Sequence, residues 1–236
     1  MSPLLARIRN HGPIARFPAL HNLALTGSYM GVQATLAAPL CPSLQHFTGP
    51  CDLLPLVLLD TSCRRLTLLP CMPEELLKAL EGVDPAPSIT TLTLSLLPPQ
   101  LRGWATPHGV FNRFSAVVDL RLHITSNVTL TEVEDYTEEG LLEIFVAILR
   151  APIALEKATI SWHSEHRIMG MQYGFESALR SAVPGLRSLC LEANDRSVSL
   201  SRMPGREFAP VIPSSPRLPP TSRVSGWWEA LGTGTA

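Results

Sequence analysis

Charge is scarce in this chain, and lysine is scarcer still. Only 17% of the 236 residues are charged, and lysine occurs at Lys78 and Lys157 alone, against 17 arginines. The formal net charge of −1 sets up no global field that would draw in nucleic acid or an acidic membrane surface. Acidic residues are missing before Asp52, and Arg7 and Arg9 break the start where a secretory signal needs an apolar run. A mitochondrial presequence would carry more serine and would avoid Pro13 and Pro18. The five cysteines are an odd number without a C-x-x-C pair, which argues against a disulfide framework and against structural zinc. The uncharged stretch from Phe17 to Cys51 is interrupted by Pro18, Asn22, Gln33, Pro39 and Pro42, so it does not read as a membrane span. Asn127-Val128-Thr129 is a glycosylation sequon by letter only. An intracellular protein, cytoplasmic or nuclear, with neither membrane nor nucleic acid as partner, is the expectation.

Signatures of chemistry are missing as well. No phosphate-cradling glycine loop, nucleophile elbow or zincin helix is present. His163-Ser164-Glu165-His166 sets two imidazoles three residues apart, which reads as a polar loop rather than a metal-binding turn. Asp119, His123 and Glu132 have no serine or cysteine partner that the chain itself positions. The chain is therefore expected not to be an enzyme, with no catalytic residue, no metal and no cofactor.

What the chain has in excess is leucine, 38 residues of it. The leucines fall into a recurring pattern: an apolar residue, another three positions on, and a third two after that. It reads Leu20-Leu23-Leu25, Leu44-Phe47-Gly49, Cys63-Leu66-Leu68, Ile89-Leu92-Leu94, Val117-Leu120-Leu122, Leu155-Ala158-Ile160 and Leu186-Leu189-Leu191. The second unit is degenerate at Gly49. The last two positions of each unit are two apart, so both point to one face of a strand. One such strand cannot bury its apolar face alone, whereas neighbours stacked in parallel make a continuous core.

Between the strands the period changes to that of a helix. Thr137 caps a predicted helix with Glu138 and Glu139 in its first turn and Leu141, Ile144, Phe145, Ile148 and Leu149 as its apolar stripe, ended by Pro152. Pro73 opens a second, with Leu76, Leu77 and Leu80 inward and Gly82 at its end; Phe175, Ala178, Leu179 and Ala182 suggest a third. An ordinary doubly wound α/β domain would also alternate strands and helices. Its strands, though, read as near-continuous apolar runs. Here the intervening positions are polar, as at Thr91, Thr93 and Ser95. One covered face and one bare face fit better.

These units resemble the leucine-rich repeat, whose core runs L-x-x-L-x-L, as in Phe17-Pro18-Ala19-Leu20-His21-Asn22-Leu23-Ala24-Leu25 and Val183-Pro184-Gly185-Leu186-Arg187-Ser188-Leu189-Cys190-Leu191. The asparagine or cysteine that normally follows is absent, and unit lengths vary. That degeneracy is similar to the repeat arrays of fungal F-box proteins. Met72-Pro73-Glu74-Glu75-Leu76-Leu77-Lys78-Ala79-Leu80 imitates the opening of an F-box, but repeats flank it, so it reads as a repeat helix. The resemblance implies an α/β fold: an irregular leucine-rich-repeat solenoid over residues 1–194, with parallel strands on the concave side and helices on the convex side. Residues 195–236, rich in proline, serine and arginine, read as a disordered tail. Within it, Pro213-Ser214-Ser215-Pro216 and Pro216-Arg217-Leu218-Pro219 have P-x-x-P spacing, Ser215-Pro216 is a phosphorylation dipeptide, and Trp227-Trp228 stands out.

A repeat stack offers its bare strand face to partners. Alternation places Ala24, Thr48, Thr67, Thr93, Arg121, Thr159 and Cys190 in its middle row, flanked by Arg65, Asp119, His123, Lys157 and Glu192. The expected partner-binding residues are Arg65, Thr93, Asp119, Arg121, His123, Lys157, Thr159 and Glu192. Three functions stay open: the substrate-recognition arm of an F-box-type ubiquitin-ligase adaptor, a free-standing or truncated repeat scaffold, and an unrecognised α/β enzyme. A Skp-type linker would be a partner only with an F-box outside this chain.

Overall fold

The structure, a computed structural model, describes residues 19–25, 41–58, 62–81, 83, 88–106, 109–125, 136–162, 170–193, 196–202 and 208–210. Within them nine strands form one sheet whose spatial order is the order of the sequence. The strands are β1 (Asn22–Ala24), β2 (His46–Gly49), β3 (Arg65–Leu68), β4 (Thr91–Leu96), β5 (Asp119–Ile124), β6 (Lys157–Trp162), β7 (Ser188–Ala193), β8 (Arg196–Arg202) and β9 (Phe208–Pro210). The first seven pair in parallel, and β7–β8 and β8–β9 pair antiparallel.

Register follows the leucine pattern. Leu23, Phe47, Leu66, Leu92, Leu120, Ala158 and Leu189 stand side by side across the parallel strands. Two residues on, Gly49, Leu68, Leu94, Leu122, Ile160 and Leu191 form the next inward row. The preceding apolar position is buried too in six of the seven units, Leu44, Cys63, Ile89, Val117, Leu155 and Leu186 being at most 1% exposed, while Leu20 of the first is half-buried. Each such side chain contributes about 1.5–3 kcal/mol by leaving water.

The chain enters each strand in the same way. The carbonyls of His21, Gln45, Arg64, Thr90, Val118 and Glu156 each accept two consecutive N–H groups from the start of the next strand, at 2.7–3.1 Å. This repeated double acceptance fixes the stagger between units independently of side-chain identity. It is why unit length can wander without disturbing the register.

Among the described residues six α-helices lie between the strands: α1 (Leu54–Val57), α2 (Pro73–Ala79), α3 (Leu101–Ala105), α4 (Val110–Arg113), α5 (Glu138–Arg150) and α6 (Gln172–Ala182). Helix α5 has the expected cap, with the Gly140 N–H donating to Thr137 Oγ1 at 3.1 Å. In α2 the carboxylate of Glu75 accepts from the Met72 N–H at 2.8 Å, so the F-box-like segment is a capped helix between β3 and β4. Leu76 and Leu80 of this segment are buried, while Leu77 is only half-buried against the core.

The inward strand rows and the buried residues of all six helices form one core cluster. The other face of the sheet carries half-buried or exposed side chains along every parallel strand, Ser161 excepted. Helices α3 and α5 pack together, as do α5 and α6, with Phe145 and Phe175 ring centroids 6.1 Å apart. Trp104 Nε1 donates to the Cys71 carbonyl and Tyr136 Oη to that of Pro98, tying later segments to earlier ones.

The tail boundary at residue 195 needs correcting. Arg196–Arg202 continues the sheet, pairing along its whole length with β7, and Phe208–Pro210 pairs with it in turn. Leu200 is buried opposite Leu189, and Val198 packs half-buried opposite Leu191. Backbone pairing with an existing edge requires little of the side chains, so a serine- and arginine-rich composition conceals the strand. The P-x-x-P segments, Ser215-Pro216 and Trp227-Trp228 lie outside the described residues, as do the sequon at Asn127, the His163–His166 pair, Glu132, Gly82 and the first 18 residues.

Candidate functional site

The bare strand face is a surface that every described strand from β1 to β7 helps to build. Its middle row runs Ala24, Thr48, Thr67, Thr93, Arg121, Thr159 and Cys190, each the register partner of the next, and β8 adds Ser199. The row at the strand starts runs Asn22, His46, Arg65, Thr91, Asp119, Lys157 and Ser188. The row towards the strand ends brings Ser95, His123, Ser161 and Glu192 together. All eight expected partner-binding residues thus lie on one face: Arg65, Asp119 and Lys157 in the first row, Thr93, Arg121 and Thr159 in the second, His123 and Glu192 in the third.

Small hydroxyls make up the early half of the middle row, and charge concentrates at β5–β7. The Arg121 guanidinium folds back onto the carboxylate two residues earlier, with Nη2 at 2.9 Å and Nε at 3.2 Å from Asp119 Oδ2. That bond and the charge of Asp119 raise the already high pKa of Arg121. Side-chain exposures of 55% for Arg121 and 17% for Asp119 leave the pair screened by water, so it contributes at most about 1 kcal/mol to stability. Lys157, the register neighbour of Asp119, makes no ion pair with a described residue, and neither does Arg65. On the later strands Ser199 Oγ donates to Cys190 Sγ at 3.7 Å, and Cys190 Sγ stands 3.7 Å from Glu192 Oε1.

Reasoning along the sequence missed how charge divides between the two sides. On the outward positions of the strands stand Arg65, Arg121 and Lys157 against Asp119 and Glu192, whereas Arg196 and Arg202 alternate in step with Val198 and Leu200 on the covered face. On or beside the helices stand Asp52, Glu74, Glu75, Glu81, Glu138, Glu139, Glu143 and Glu176, against Lys78, Arg102, Arg113, Arg150 and Arg180. Among the described residues the outward strand rows thus hold three cations against two carboxylates, and the helices more carboxylates than cations.

Among the described residues no cluster of three or more His, Cys, Asp or Glu side chains could hold a metal ion. Cys41, Cys51, Cys63 and Cys71 are buried thiols. A cavity of about 370 Å³ opens on the helical side between α3, α4 and α5, lined by Trp104, Val110, Phe111, Ala147 and Arg150 among others. Its lining is mainly apolar, and Arg150 is its one titratable side chain, which offers no acid–base pair. Among the described residues no helix is long and apolar enough to cross a membrane. Compared with protein families, with curated proteins and with solved structures, the chain matches none.

Proposed function

We propose that the chain is an irregular leucine-rich-repeat-type array that works as a protein–protein interaction module, with its partner seated on the bare strand face. The observation that carries this reading is the sheet itself. Seven parallel strands in sequence order have one face covered by helices and the other lined by hydroxyl and charged side chains in register. A doubly wound enzyme fold covers both faces and places its ligand at a reversal of strand order, and this sheet has no such reversal among its described strands. The resemblance to F-box repeat arrays supports a narrower role: substrate recognition for a ubiquitin ligase, with a Skp-type linker engaged through an F-box outside these residues.

The test places a photo-crosslinking amino acid at Thr93, at Thr159 or, on the helical side, at Glu143. Discrete protein adducts are expected from the two strand positions and not from Glu143. Adducts confined to Glu143 would move the interface to the helices and end the reading. Co-recovery of a Skp-type linker and a cullin supports the ligase role; their absence leaves a scaffold without ligase attachment.

A further inference from the structure

We infer that the partner segment is acidic and extended, and that it lies across the starts of β3 to β6 with carboxylates reaching Arg65 and Lys157; this rests on the interaction-module reading above. Both cations are exposed, both occupy the first outward row, and neither is paired with a described residue. Between them stand Thr91 and Asp119. Three strand spacings of about 4.8 Å separate the two, or about 14 Å, which an extended peptide spans in roughly four residues. Arg121 is already engaged by Asp119, so the two unpaired cations are the sites left for an incoming carboxylate.

The charges on the outward strand rows favour the same partner. These rows hold Arg65, Arg121 and Lys157 against Asp119 and Glu192, a small excess of positive charge that attracts an acidic chain. Nucleic acid fits less well. Asp119, Glu156 and Glu192 lie among the cations and would face phosphates, and the outward strand positions described carry no Phe, Tyr or Trp for bases to stack on.

The test uses the full chain and a fluorescein-labelled 12-residue peptide rich in Asp and Glu, beside its Asn/Gln isostere and a single-stranded RNA of similar length, read by anisotropy. The acidic peptide is expected to bind, the isostere to bind at least tenfold more weakly, and Arg65→Glu with Lys157→Glu to abolish the difference. Raising salt from 50 to 300 mM should weaken the acidic peptide several-fold. Arg65→Gln with Lys157→Gln, confirmed folded by circular dichroism, guards against misfolding of the reversed variant. RNA binding more tightly than the acidic peptide overturns the inference. So does equal binding of peptide and isostere.

A parallel selection from an unbiased peptide-display library separates the two levels of the proposal. Binders enriched in Asp and Glu, and lost in the double variants, support the inference. Binders that crosslink to Thr93 or Thr159 without such enrichment overturn it and leave the interaction module standing. Absence of any strand-face binder removes both.

Discussion

The ring of Phe47 occupies the space that the side chain of residue 49 would need. A Cβ built on Gly49 would meet Phe47 Cζ at 2.6 Å, well inside contact distance. The glycine that spoils the second repeat is thus the complement of an oversized neighbour: one large ring fills what two medium side chains fill in other units.

Gly49→Ala should therefore destabilise the protein by about 1–3 kcal/mol, because the ring must leave its place in a packed core. Phe47→Leu in the same chain should recover part of that loss. Chemical denaturation of the single and double variants measures it. A Gly49→Ala protein as stable as the parent would show that the ring has room to move.

Leu120 and Arg121 are adjacent in sequence and opposite in consequence. Leu120 is fully buried, and Leu120→Ala should cost about 2–5 kcal/mol. Arg121→Ala should stay within about 1 kcal/mol, since the pair it loses is exposed to water. Equal effects at the two positions would contradict the assignment of faces.

The thiols offer a chemical check on the same assignment. Burial pushes Cys63 up to about 11, and a hydrogen bond shared with Cys51, together with burial, holds the Cys71 thiol protonated far above its ordinary range. At pH 8, iodoacetamide should reach half-buried Cys190 first and leave Cys63 and Cys71 unmodified until guanidinium unfolds the chain. Intact-mass spectrometry counts the adducts. Labelling of Cys63 at the rate of Cys190 would place its sulfur outside the core.

Burial, and then the positive charge of Arg65, lower the pKa of His46 below the usual histidine value of 6.5. The unfolded chain then binds a proton at His46 more readily than the folded one. This residue consequently reduces stability as pH falls through that value, and leaves it untouched well above. Arg65→Ala should raise the His46 pKa followed by proton NMR, without restoring it fully because burial remains. An unchanged titration would show that Arg65 does not act on the ring.

The parallel strands and their faces were legible because each unit states its register locally: Ile89-Leu92-Leu94 and Val117-Leu120-Leu122 name the buried rows, and the residues between them name the open one. Helix α5 was legible from its Thr137 cap and apolar stripe. Helices α3 and α4 were not, since five- and four-residue helices give no periodic window and Gly103 adds to the disguise. Strand β8 was hidden by the opposite effect. Val198 and Leu200 alternate correctly, but over 42 residues of tail composition seven residues carry little weight. The rows of the candidate site could be written down from alternation alone, whereas the Arg121–Asp119 pair within them required the side-chain geometry.

The change of strand direction between β7 and β8 bears on how such a molecule can lengthen. A duplicated unit brings a parallel strand and a carbonyl that accepts two N–H groups from its successor. Beyond Ala193 the neighbouring strand runs the other way, so a copy inserted there finds the wrong polarity of donors and acceptors. Growth by tandem copying is therefore confined to the parallel part of the stack, before β8, where each junction repeats the last. The early units with neutral hydroxyls and the later units with charges could then diverge separately while the end stays closed.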